Sequence, residues 1–132
     1  MRREAMEVRE KILLIDDKSE IALLTAIQEE GYEVIACESP QKAWGPVFPY
    51  RPDFIIVHLR HPSTRDIAIL QECRALADGV PIIVATSVPG HEAVMKALEE
   101  GATAFLSLPV KSQTIRKVLD ELKPSINEKL EN

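Results

Sequence analysis

The chain has 132 residues, 45% of them apolar and 28% charged, which fits one globular domain with one core and argues against a disordered or multi-domain protein. Its 21 acidic residues outweigh 16 basic ones, a formal net charge of -5, so it lacks the basic surplus that drives contact with phosphate backbones, and direct nucleic-acid binding is not expected. No apolar stretch approaches the about 20 residues needed to span a bilayer, and Met1-Arg2-Arg3-Glu4 leads into further charge rather than an apolar signal region; a cytoplasmic location without membrane contact is the expectation.

Residues 1–10 form a charged lead-in, and the apolar run 12–15 then predicts the first strand, with Asp16 and Asp17 directly after it. Gly31 closes the following helical stretch at a point where a left-handed residue is easiest for glycine, and 32–36 predicts a second strand. After Ser39 the second helix should be short or distorted, because Gly45, Pro46 and Pro49 interrupt it; it carries the lone Trp44, read as core packing or as an exposed anchor. Strands are predicted at 54–57, 82–85 and 104–108, with Gly79 and Gly101 ending the helical stretches before the last two, and Pro81 and Pro109 bracketing strand ends. Ile115, Val118, Leu119 and Leu122 follow the spacing of one buried helix stripe. Residues 124–132 are a polar tail that could continue that helix briefly. Cys37 and Cys73 lie in apolar patterns without CxxC spacing and are read as buried, reduced thiols.

The runs are mostly apolar without strict polar alternation, as in strands covered on both faces. Alternation with helices predicts a doubly wound α/β sandwich whose ligands sit at the carboxyl ends of the strands. Asp16 and Asp17 lie at that edge, where two adjacent carboxylates repel unless a cation or a lysine lies between them. No GxGxxG or GxxxxGK[ST] loop follows the first strand, and no nucleophile–base pair is suggested by spacing, so an enzyme is not expected.

Four segments in order, Ile12-Leu13-Leu14-Ile15-Asp16-Asp17, Arg51-Pro52-Asp53-Phe54-Ile55-Ile56-Val57, Pro81-Ile82-Ile83-Val84-Ala85-Thr86 and Ala97-Leu98-Glu99-Glu100-Gly101-Ala102, resemble the response-regulator receiver domain over roughly residues 10 to 122. The resemblance implies a flavodoxin-like sandwich over 11–123 with strand order 2-1-3-4-5 and a role in two-component phosphorelay signalling. In that family an acidic pair helps bind Mg²⁺, an Asp ending the third strand accepts phosphate, a Ser or Thr ends the fourth strand, and a Lys precedes a Pro after the fifth. Phosphoryl transfer needs this set: a carboxylate nucleophile, a hard cation, a hydroxyl and an ammonium. Here Asp16, Asp17 and Thr86 match, while His58 stands at the acceptor position and Leu108, before Pro109, at the Lys position. Asp53 enters the third strand at the opposite edge, and Asp66 lies beyond Pro62 in a loop or first helical turn, so neither substitutes for the acceptor. The family's Met-Pro-x-x-Asp-Gly loop keeps only its Pro in His61-Pro62-Ser63-Thr64-Arg65-Asp66. The switch aromatic corresponds to Phe105, for which plain core packing is the alternative.

The expectation is therefore a degenerate receiver acting independently of phosphorylation. It would meet a signalling protein or a second copy through its fourth helix, fifth strand and fifth helix, the helices beginning near His91 and Lys111. Within it His58 reads as a hydrogen-bonded histidine filling a disused pocket. A second reading makes Asp16, Asp17 and His58, joined by His61 and His91, a site for a metal or small ligand. Losing one carboxylate should weaken Mg²⁺, whereas an imidazole beside carboxylates suits Zn²⁺, Ni²⁺ or Cu²⁺. A phosphohistidine at His58 ranks last, because Leu108 offers no charge to hold it.

Overall fold

A computed structural model describes residues 10–16, 21–39, 42, 51–59, 64–77, 79–87 and 90–123. The strands are β1 (Lys11–Ile15), β2 (Glu33–Cys37), β3 (Phe54–His58), β4 (Ile82–Thr86) and β5 (Ala104–Ser107). The described helices are α1 (Ile21–Glu29), α2 (Thr64–Leu76), α3 (His91–Glu99) and α4 (Ser112–Leu122). They correspond to the first, third, fourth and fifth helices expected from the sequence. The segment with Gly45, Pro46 and Pro49, and Trp44 with it, lies outside the described residues.

All neighbouring strands run parallel in the order β2-β1-β3-β4-β5, so the chain reverses direction of winding between β1 and β3. Alternate side chains on a strand point to opposite faces, and the two cores follow that parity. Leu13, Ile15, Ile55, Val57, Ile82 and Val84 pack with Leu70 and Cys73 of α2 and Ala97 of α3. Ile12, Leu14, Phe54, Ile56, Ile83 and Ala85 pack with Leu23 and Ile27 of α1 and with Ile115 and Leu119 of α4. Val118 and Leu122 join the second cluster from the half-buried flank of α4, which completes the stripe read from the sequence. The expectation that every strand is covered on both faces holds for β1, β3 and β4. It needs correction at the edges, where β2 and β5 each have one strand neighbour and keep exposed or half-buried positions.

Cys73 is 1% exposed, whereas Cys37 at the carboxyl end of edge strand β2 is only half-buried, which corrects the reading of both thiols as buried. Gly31, Gly79 and Gly101 all adopt positive φ. At Gly101, φ is +112° and a β-carbon would fall against the Arg74 side chain, which crosses the turn to donate to the Glu100 carbonyl oxygen at 3.4 Å.

Gly101→Ala is therefore expected to cost about 1–3 kcal/mol from the left-handed backbone and more than Gly31→Ala, where the added carbon meets nothing within 4 Å. Urea unfolding of both variants measures the difference. Burial pushes the Cys73 thiol up to about 12. The folded state thus holds its proton while the unfolded chain releases it above the ordinary value of 9.0, so this contribution to stability is present below that value and lost as pH rises toward about 12. Cys73→Ala should flatten the alkaline decline in unfolding free energy, and a thiol reagent at pH 8 should reach Cys73 only after denaturant unfolds the chain.

Candidate functional site

The sheet register brings two ionisable side chains together before any loop contributes. Ile15 of β1 pairs with Val57 of β3, so the next residue on each strand, Asp16 and His58, continues side by side at the carboxyl edge. By strand parity both turn toward the α1/α4 face. His58 Nδ1 lies 3.0 Å from Asp16 Oδ1, with the two side chains 5% and 6% exposed. A carboxylate oxygen accepts, so the geometry assigns the imidazole proton on Nδ1 as the donor. In so buried a position the contact satisfies two polar groups that would otherwise be costly to desolvate.

The other expected positions surround this pair in different ways. His58 pairs across the ladder with Ala85, and Thr86, the next residue of β4, is fully buried, its carbonyl oxygen accepting from the Leu108 N–H at 2.8 Å. Leu108 packs against the α1/α4 core, and the peptide joining it to Pro109 is cis. Its isobutyl group adds to the core and offers no ammonium to the strand edge. Phe105 pairs with Val84 and lies half-buried against the α2/α3 core. Asp53 sits at the opposite, amino edge, where its Oδ2 accepts from the Lys11 N–H at 2.7 Å and its own N–H donates to the Lys11 carbonyl oxygen at 2.8 Å. Asp66 falls in the first turn of α2 and His91 begins α3, while their side chains, together with Asp17 and His61, lie outside the described residues.

The described residues do not fit Mg²⁺. A hard cation favours an array of oxygen ligands, but β3 presents an imidazole here and that ring engages one oxygen of Asp16. Among the described residues, no three His, Cys, Asp or Glu side chains converge as a metal-binding group. Sequence reasoning placed Asp16 and His58 at one strand edge and grouped them, with Asp17, as a candidate metal or ligand site. What it missed is the apolar hollow beside Asp16 formed by Leu14, Ile21, Leu24 and Ala36, since apolar residues at helical and strand spacing read as core whether or not a neighbour covers them.

Removing the imidazole leaves Asp16 buried without this donor. His58→Ala is expected to lower the unfolding free energy by about 1–3 kcal/mol, and His58→Ala combined with Asp16→Ala should lose less than the sum of the two single losses. Urea denaturation of the three variants at pH 7 checks the coupling.

Comparison with known proteins agrees with this architecture. The chain is 24% identical over 119 residues to sporulation initiation phosphotransferase F of Bacillus subtilis, covering 89% of this chain and 96% of that protein. It is 28% identical over 110 residues to the DNA-binding response regulator MtrA of Mycobacterium tuberculosis, covering 82% of this chain but only 48% of that regulator. The fold superposes on Vibrio cholerae chemotaxis protein CheY4 with a TM-score of 0.73 at 24% identity, over 88% of this chain and all of that one. It also matches the receiver domain of the Pseudomonas aeruginosa sensor histidine kinase PA1611, which holds a magnesium ion in its active-site cleft, with a TM-score of 0.71 at 23% identity over 86% of this chain and 97% of that one. Among the described residues, no helix is long and apolar enough to cross a membrane. A family model for the response regulator receiver domain matches residues 12–120, and the chain belongs to that family of two-component signalling modules.

Proposed function

We propose that this chain is a pseudo-receiver, a phosphorylation-independent interaction module within two-component signalling. The observation that carries the reading is the Nδ1 to Oδ1 contact of 3.0 Å between His58 and Asp16. It puts an imidazole in the acceptor position and engages the carboxylate that would serve a cation. Leu108, packed in the α1/α4 core, supports the same reading from the far side of the edge, because phosphoryl transfer requires a positive charge near the transferred oxygens. His58, Asp16, Thr86, Phe105 and Leu108 then act as a packed edge that holds one conformation.

An interaction module needs exposed apolar surface, and α3 supplies some. Met95 and Leu98, three residues apart and on one side of the helix, are 45% and 42% exposed. They support a contact with a signalling protein or with a second copy through the face formed by α3, β5 and α4.

Incubation of the chain with acetyl phosphate and Mg²⁺, followed by intact-mass measurement at neutral pH so that an acid-labile phosphohistidine survives, is expected to show no phosphoryl adduct. A stoichiometric adduct overturns the reading. His58→Asp with Leu108→Lys restores a carboxylate and an ammonium, and this double variant is expected to accept phosphate where the unaltered chain does not.

A further inference from the structure

A hollow of about 400 Å³ opens beside Asp16, within the range of small-molecule sites. Leu14 of β1, Ala36 of β2, and Ile21 and Leu24 of α1 give it an apolar lining. Ile21, the first residue of α1, is 74% exposed, an aliphatic side chain left largely in water at the mouth of a concave surface. The polar groups around the hollow differ in what they can offer. Glu38 and Lys42 form an ion pair at 2.7 Å and neutralise each other on the exposed flank. Burial pushes the Cys37 thiol up, with Lys42 opposing more weakly, so it contributes no charge near neutral pH.

Asp16 is different, because it lines the hollow and yet is only 7% exposed. A carboxylate has about four acceptor positions, and among the described residues His58 Nδ1 is the side-chain donor that reaches it. We propose that the hollow binds a small amphipathic cation, a protonated amine on a short aliphatic chain, with the chain against Ile21, Leu24, Leu14 and Ala36 and the ammonium donating to Asp16. An anion in the same place would set like charges together in a partly dry site, and a neutral occupant would cover the carboxylate without replacing its water. The inference uses the acceptor positions of Asp16 that the His58 contact leaves over, and its occupant lies on the α1 face of the sheet rather than on α3.

The test titrates n-hexylamine, n-hexanol and n-hexanoate into the full chain and follows backbone amide resonances. Hexylamine is expected to shift Leu14, Leu24 and Ala36 saturably and to bind about ten-fold more tightly than the other two, the increment of one charge-assisted contact. Asp16→Asn keeps an acceptor for His58 and should bring hexylamine to the affinity of hexanol. Ala36→Phe, at an exposed position, should fill the hollow and remove the response to all three probes. Equal affinities for the three probes, a hexylamine response unchanged in Asp16→Asn, shifts that persist in Ala36→Phe, or no saturable shift with any probe would each overturn the proposal.

Discussion

The pairing of β1 with β3 is the constraint on which the rest of the molecule depends. These strands flank the point where the chain changes its direction of winding, and their register sets Ile15 against Val57. Whatever residues follow on the two strands must then meet at the carboxyl edge, in the crevice where open α/β sheets place ligands. In this chain they are Asp16 and His58, and one carboxylate oxygen at that crevice is engaged by an internal hydrogen bond. The neighbouring strand answers in the same way: Thr86 is sealed in the core, and its carbonyl oxygen holds Leu108 through a backbone bond.

A receiver switches because a bound phosphoryl group makes contacts in one conformation that it cannot make in the other, and a two-state element moves only under such a differential contact. On the proposed reading His58 and Leu108 remove the source of that difference. Phe105 then has no reason to exchange places: its ring lies half-buried on the α2/α3 core beside Val84. The module keeps the receiver shape and its exposed α3 residues while its edge is held by packing and by one buried polar contact. On the same proposed reading, partner contact would be set by concentration and complementarity, without a chemical input at β3.

Much of the fold was legible because its signals are local. Apolar runs gave five strands, and Ile115, Val118, Leu119 and Leu122 gave the buried stripe of α4, since a period of 3.6 residues is written directly in the chain. Positive φ at Gly101 was legible for the same reason, but the Arg74 side chain lying across it was not, because that contact joins residues 27 positions apart. Strand order came from resemblance and could not have come from periodicity. The exposure of Cys37 depends on β2 being an edge strand, so the apolar pattern around it misled. At the site, sequence named the residues at each strand end. Which ring nitrogen meets which carboxylate oxygen is a matter of rotamer and register, as is the hollow between Ile21 and Ala36.

The measurement that bears most directly on the closed edge is a Mg²⁺ titration of the unaltered chain, followed at the backbone amides of Asp16, His58 and Thr86, with His58→Asp as the comparison. If His58 closes the cation site, those amides stay unshifted through the Mg²⁺ concentrations at which His58→Asp responds, since only the variant offers a carboxylate from β3 in place of the imidazole. A saturable shift at Asp16 and Thr86 in the unaltered chain would show that the edge still accepts the cation, and would contradict the account.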